Sequence, residues 1–431
     1  MKKVISIALM LIITLGLFAC GNGTQTSDQP SSSAPSNAAS NAPSDAPSNA
    51  PSSNAPSSAP SSSQAPDSGQ QAAPGGTTAG TIGFWEDALE SAKSGRDTYH
   101  IVMLSTSIYA QWTYMVDVAQ MLEDVLNIRV SMVTANGDGD RMMTLIEETC
   151  SDKTVVGCVV DISNFYQARS RELFEEYGMV YVNVLDAMYA DTTDPAKRIN
   201  VTPSCVIDPY QSGQVGIQWC ADNYKSYWGD IDTTKLGFVG TTWSSSYDMH
   251  QRAVGAFDKF GELFPEASQN RYYADSTAGQ MTVETFYQVV TATLTAHPEI
   301  EYWFLFAASG DSGGTASIRG IEDTGKSDCT LMVTGVPTTA TIEWDSGNID
   351  SAWVASVDCR YPEQIATALA GVIAMVDGRA TMETLWQEYN TGEHEATLLK
   401  IPPTVITASD YKHSRNEEYA EYGLTLPYPG A

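Results

Sequence analysis

Positive charge is scarce in this 431-residue chain: 23 lysines and arginines stand against 52 aspartates and glutamates, for a formal net charge of −29. So acidic a chain lacks the cationic footprint that displaces counterions from nucleic acid. It equally lacks the polybasic surface that holds a protein on anionic lipid. Histidine is scarce too, with 5 residues that form no cluster, and the 7 cysteines contain no CxxC pair, so a zinc site has no ligand spacing to rest on. No HExxH occurs. The longest apolar run, residues 4–18, reaches about 22 Å as a helix, short of a ~30 Å hydrocarbon core, which excludes it as a spanning segment.

That run has a different meaning. Lys2 and Lys3 precede it as a basic n-region, and it ends on Leu17-Phe18-Ala19-Cys20 followed by Gly21. The arrangement is that of a cleavable signal peptide, and its end resembles the bacterial lipobox. The resemblance implies cleavage after residue 19 and a diacylglycerol anchor on Cys20. Residues 20–80 carry no aromatic side chain and only Asp28, Asp45 and Asp67 as charges, and they repeat an Asn/Asp-Ala-Pro-Ser unit. Such a segment cannot bury enough surface to offset its conformational entropy, so it reads as a disordered tether. Almost all of the acidity therefore belongs to residues 81–431. Charge on an exterior says little about a buried cleft, so it does not by itself identify a cationic ligand.

After residue 96 short apolar runs alternate with amphipathic stretches. Strands are predicted at 99–105, 128–134, 155–162 and 179–185, with helices at 112–126, 141–150 and 166–177 between them. The alternation restarts after Asp208: helices at 212–227, 247–263, 282–296 and 314–323, strands at 235–240, 301–307 and 330–335. This pattern builds βαβ units and parallel sheets covered on both faces. Two successive doubly wound sheets fit the length better than one sheet of ten or more strands. Ligands of such sheets bind beyond the carboxyl ends of the strands. The six cysteines after Cys20 are widely spread and several lie inside apolar runs, which favours buried free thiols over a disulfide framework.

Several motifs in order carry a more specific likeness. They are Leu294-Thr295-Ala296-His297-Pro298-Glu299-Ile300 before a strand, Asp323-Thr324-Gly325-Lys326-Ser327-Asp328 before the next, and Val206-Ile207-Asp208 ahead of Gly213 and Gly216. Arg252-Ala253-Val254-Gly255-Ala256-Phe257 and Pro362-Glu363-Gln364-Ile365 complete the set. Over residues 98–410 the chain resembles the type I periplasmic (ribose-binding-protein-like) solute-binding proteins of ABC transporters. The resemblance implies two α/β lobes joined by three crossovers near 205–208, 360–361 and 402–405. It implies an N-lobe of 98–207 plus 361–402 and a C-lobe of 208–360 plus 403–431. It further implies a monomer that closes on a small polar ligand, needs no cofactor or metal, catalyses nothing and delivers its cargo to a permease. With the lipid anchor, it would stand on the outer face of the cell membrane. A tethered sensor of a nucleoside or an autoinducer-like signal, coupled to a signalling partner, is the alternative on the same fold.

Sugar-like ligands need flat apolar faces and forked polar groups in a desolvated cleft. Tyr109 and Trp112, in the loop after the first strand, match the place of the family's stacking aromatics, or else pack the helix start into the lobe. Asp186 lies within one residue of the family's Asp-Arg pair. Asp208 at the first crossover either touches ligand or caps a helix. Arg252 aligns with the family's ligand-binding arginine, whose guanidinium forks onto hydroxyls or a carboxylate. Trp243 is a second stacking candidate. Ser309 and Asp311 stand where the family places Asn-Asp, and Arg360, where it places Gln, either meets ligand or forms a hinge ion pair with Asp358. Gly335-Val336-Pro337 departs from the Gly-Phe-Asp of many pentose and hexose binders, so the identity of the ligand stays open. Gly310-Asp311-Ser312-Gly313-Gly314 matches the nucleophile motif of trypsin-like proteases, but the alternating pattern is wrong for paired β-barrels. Asn136-Gly137-Asp138-Gly139-Asp140 looks like a calcium loop without its closing glutamate and reads as a polar turn.

Overall fold

The computed structural model describes residues 83–162, 166–189, 199–276 and 281–425. The signal segment, Cys20 and the tether lie outside the described residues. The first lobe opens earlier than residue 98. Helix α1 (Trp85–Lys93) turns Trp85 and Ala88 into its core. Then follow β1 (Tyr99–Ser105), α2 (Ala110–Met121), the short α3 (Glu123–Leu126), β2 (Ile128–Thr134), α4 (Gly139–Ser151) and β3 (Val155–Asp161). After them come α5 (Gln167–Tyr177), β4 (Val180–Leu185) and β5 (Ser204–Ile207).

The second lobe continues with α6 (Pro209–Trp228), β6 (Leu236–Thr242), α7 (Tyr247–Leu263), β7 (Arg271–Asp275), α8 (Val283–Ala296) and β8 (Tyr302–Ala307). Helix α9 (Thr315–Asp323), β9 (Thr330–Thr334), α10 (Thr338–Asp345) and β10 (Trp353–Asp358) complete it. The chain then returns to the first lobe through α11 (Tyr361–Val376) and β11 (Leu398–Ile401), crosses once more to β12 (Thr404–Thr407), and ends in α12 (Tyr411–Glu421).

Two six-stranded sheets result, ordered β11-β5-β4-β3-β1-β2 and β12-β10-β9-β8-β6-β7. Every pairing between these strands is parallel except β10 with β12. Strands such as Val155–Asp161 and Tyr302–Ala307 read as continuous apolar runs because helices cover both faces of each sheet. The architecture is that of two doubly wound lobes, with crossovers at Asp208, at Cys359–Arg360 and at Pro402-Pro403. Helix α11 is buried from Tyr361 to Met375. A helix buried on all sides belongs inside a core, and this one packs on β3 and β4 beneath α1 and α2. Its Pro362 occupies the first turn, where the missing N–H has no helical partner to lose.

The C-terminal segment departs from the expectation that 403–431 sits in the second lobe. Tyr411 belongs to the second lobe's core, whereas Tyr419, Tyr422 and Leu424 belong to the first lobe's. Helix α12 therefore straddles both. Cys150, Cys158, Cys205, Cys220 and Cys359 are buried free thiols, and Cys329 is a half-buried one. Among the described residues no helix is long and apolar enough to cross a membrane, and no group of His, Cys, Asp or Glu stands where it could hold a metal ion.

Candidate functional site

A cleft of about 520 Å³ opens where the carboxyl ends of the two sheets face each other. Its first-lobe wall is made by residues that follow β1, β3, β4 and β5; its second-lobe wall by residues that follow β6, β8, β9 and β10. That is the position chain reversal makes available in an open parallel sheet. Of the residues singled out from sequence, Tyr109, Asp186, Trp243, Arg252, Ser309 and Asp311 line this cleft together.

The other three do not line it. Trp112 is fully buried and packs in the first lobe's core, where the first turn of α2 points it inward. Asp208 caps α6: its Oδ1 accepts from Gln211 N–H at 3.1 Å and its Oδ2 meets Lys400 Nζ at 3.1 Å. That is the cap role, and it satisfies an otherwise orphaned helix N–H. Arg360 sits at the second crossover with a left-handed φ of 44°. Its Nε pairs with Glu363 Oε2 at 2.7 Å. The expected ion pair with Asp358 is instead a hydrogen bond from Arg360 backbone N–H to Asp358 Oδ1 at 3.2 Å.

Each wall has a structural reason. Arg252 is fixed by the close approach of α6 and α7. A Cβ on Gly213 would lie 2.0 Å from Arg252 C=O, and one on Gly255 would lie 1.9 Å from Tyr210 C=O, so only glycine permits the contact. The guanidinium makes one long hydrogen bond to a described residue, Nη1 to Ala308 C=O at 3.4 Å, and lines the cleft. Ser309 and Asp311 are presented by a π-helical turn, Gly310–Gly314, a geometry that recurs at functional sites. Gly310 is required there because a Cβ would meet Val336 Cγ2 at 2.4 Å. Asp311 Oδ1 accepts from Thr338 Oγ1 at 3.2 Å and Thr339 Oγ1 at 2.8 Å, which ties the turn to α10.

The protease-like motif is thus a packing device. It also spells Gly-x-Ser-x-Gly between a strand and a helix, the setting of a nucleophile elbow, yet Ser312 is not among the residues with positive φ. No histidine lines the cleft among the described residues. A second chance match, Gly320-Ile321-Glu322-Asp323-Thr324-Gly325-Lys326-Ser327, spells the phosphate-loop consensus. It closes the end of a helix rather than opening one. Gly325, at φ +66°, and Lys326 donate their N–H groups to Glu322 C=O at 2.9 Å and Ile321 C=O at 3.0 Å. This is a C-terminal cap with no amide cradle facing a phosphate.

The first-lobe wall holds a residue the sequence reading passed over. Asp161 ends β3 and accepts hydrogen bonds on Oδ2 from Ser105 Oγ at 3.1 Å and from the Tyr109 phenol. Burial pushes its carboxyl up to about 7, the negative Asp186 beside it pushes the same way, and the two hydroxyl donors oppose both. Burial also raises Asp186, against the pull of Arg252. Tyr109 rises well above the ordinary phenol value through burial and then through the Asp161 charge. Leu185, just before Asp186, has φ +70°, an uncommon state for a non-glycine residue, and Asp186 N–H donates back to Val184 C=O at 3.0 Å. Asn183 Nδ2 secures this turn by donating to Asp186 C=O. Tyr361 and Gln364 reach the cleft from α11, and Gln364 Oε1, in a residue 1% exposed, has no donor among the described residues. A signal for Asp161 was present in the sequence, as the one carboxylate closing the apolar run 155–160. Tyr361 and Gln364 had none, because only the return of the chain brings α11 under the first sheet.

No family model matches the sequence, and no curated protein matches it. Solved structures do match in fold. A periplasmic solute-binding protein of an ABC transporter from Actinobacillus succinogenes 130z, with bound D-allose, superposes at TM-score 0.55 and 16% identity over 73% of this chain and 100% of that one. The myo-inositol-binding protein of Caulobacter gives 0.54 at 14% identity, over 74% and 97%. An arabinose-binding protein from Geobacillus stearothermophilus gives 0.54 at 13% identity, over 74% and 99%. At such identities the likeness is one of fold: this chain has the two-lobed fold of type I periplasmic binding proteins.

Proposed function

We propose that the chain is a membrane-anchored, extracytoplasmic solute-binding protein, not an enzyme. It captures a small sugar-like ligand between its lobes and delivers it to an ABC permease. The observation that carries the reading is the cleft itself, with forked and charged side chains from both lobes converging on a space of about 520 Å³, within the usual range for a small-molecule site. The bound allose and myo-inositol of proteins sharing the fold support the polar, hydroxylated class. Fold likeness alone is analogy, and the side chains supply the chemical argument. Arg252 offers a fork, Trp243 a flat face, and Asp311 and Asp186 acceptors for hydroxyl pairs.

The test is a thermal-shift and calorimetric screen of pentoses, hexoses, inositols and amino sugars against the full chain. A ligand at 100 times its Kd adds about 2.7 kcal/mol of stability. A saturable shift with one-to-one stoichiometry is expected; no shift from any compound overturns the reading. Anchoring is tested by phase partitioning of the full chain with and without Cys20→Ala. Delivery is tested by ligand-dependent stimulation of a co-reconstituted permease.

A further inference from the structure

The charges facing the cleft do not balance. Among the described residues that line it, the charged side chains are three carboxylates, Asp161, Asp186 and Asp311, against one guanidinium, Arg252. The imbalance is concentrated on the first-lobe wall. Among the described residues Asp161 meets Ser105 and Tyr109 through Oδ2 only, and no donor reaches Oδ1. The Asp186 carboxylate has no hydrogen bond to a described residue, its turn being held through backbone atoms alone. Gln364, in the same wall, has a buried Oε1 with no donor among the described residues. The second-lobe wall has the opposite character, with the donors of the Arg252 guanidinium.

Acceptors without donors in a desolvated wall ask for a ligand group with several N–H or O–H bonds. A hydroxyl supplies one donor and leaves both carboxylates uncompensated, whereas an ammonium supplies three and a full positive charge. We infer that the ligand carries a protonated primary amine among its hydroxyl groups, as an amino sugar does. The amine sits on the carboxylates of Asp161 and Asp186, and the hydroxylated face is turned to Arg252 and Trp243. This rests on the solute-binding reading above and names the chemical class within it.

The groups around the two carboxylates fix the expected proton linkage. Ser105 and Tyr109 face Asp161 from β1 and the start of α2, Tyr361 and Gln364 stand on α11, and Arg252 and Asp311 face them from the other lobe. Because Asp161 and Asp186 hold protons more tightly than ordinary aspartates, an arriving ammonium expels a proton that a neutral polyol leaves in place.

The experiment is calorimetry at about pH 6.5 in two buffers of different ionisation enthalpy, which reads the protons released on binding. The probes are glucosamine, galactosamine and mannosamine, their parent hexoses, their N-acetyl forms, and allose and myo-inositol. Expected is binding of at least one free amine, with net proton release and affinity rising from about pH 5.5 to about 7. Its N-acetyl form, of similar shape without the charge, should bind at least tenfold more weakly. Asp161→Asn and Asp186→Asn should each weaken the amine roughly 10–150-fold without lowering the thermal midpoint. The N-acetyl comparison decides the matter if either variant fails to fold. Tighter binding of a neutral sugar or of myo-inositol than of any amine, or binding without proton release, overturns this inference and leaves the solute-binding role standing. No binding by any probe overturns both.

Discussion

Tyr109 and Asp161 are joined at the carboxyl edge of the first sheet: the phenol O–H donates to Asp161 Oδ2, the oxygen that also accepts from Ser105. One residue caps the start of α2, the other ends β3, and their bond fixes the orientation of a carboxylate whose second oxygen is left for the cleft. Because the bond stabilises the ionised carboxylate, Tyr109→Phe should push the Asp161 carboxyl above about 7. Carbon-detected NMR titration of aspartate side chains would register the change. An unchanged or lower value would mean that the phenol does not support the charge.

The raised carboxyl of Asp161 predicts a direction for the pH dependence of stability. A folded-state value of about 7 against an ordinary 3.8 means that the native state binds the proton more tightly. Asp161 therefore lowers stability progressively as pH rises from about 4 to about 7, and no further above that. Asp161→Asn should abolish this slope, gaining on the order of 4 kcal/mol relative to the parent at pH 8 and little at pH 4. Urea unfolding of both proteins across that range measures it. A gain that is equal at both pH values would assign the effect to packing.

Arg252 provides a cleaner binding test than any aromatic. Arg252→Ala should weaken a bound ligand roughly 10–150-fold, and Arg252→Lys should recover only part of it, since a point charge cannot fork onto two acceptors. Isothermal calorimetry with whichever sugar-like compound is found measures both, with the melting temperature as a folding control.

Trp112 predicts the reverse pattern. It is fully buried in the first lobe, so Trp112→Ala should cost about 3–5 kcal/mol of stability. Trp112→Phe should keep ligand affinity within about twofold. A large affinity loss in the folded Phe variant would return this residue to the binding wall.

At the second crossover, Arg360→Ala leaves the almost fully buried carboxylate of Glu363 without its 2.7 Å partner. Breaking such a pair from one side should cost about 3–5 kcal/mol, while removing both charges in Arg360→Met/Glu363→Gln should cost less. A double-mutant cycle by chemical unfolding separates the two cases.

The sequence made the layer order legible through two kinds of strand, β1 buried on both faces and the edge strand β2 with exposed Arg129 between buried Ile128 and Val130: the strands predicted at 99–105 and 128–134 coincide with them. It missed β7, whose Arg271–Asp275 run carries little apolar weight, and β5, β11 and β12, each only four residues long, and it set no bounds for β10. At the site, residues placed just after strands were found in the cleft, namely Asp186, Trp243, Ser309 and Asp311. Trp112 and Arg360 eluded the same logic. A residue in the first turn of a helix faces wherever that helix packs, and a crossover arginine goes to the nearest buried carboxylate. The phosphate-loop and protease-like strings show the converse. Glycines demanded by a helix cap or by close packing can spell a catalytic consensus without its geometry.

Helix α12 begins in one lobe's core with Tyr411 and ends in the other's with Tyr419, whose phenol donates to Tyr114 OH at 2.6 Å. A rod rooted at both ends cannot be stretched, so the lobes cannot part by translation. They can only swing or twist about a line lying close to the rod. This last helix thus acts as a hinge pin, and a truncation at about residue 410 would turn a guided rotation into loose play about three short strand links.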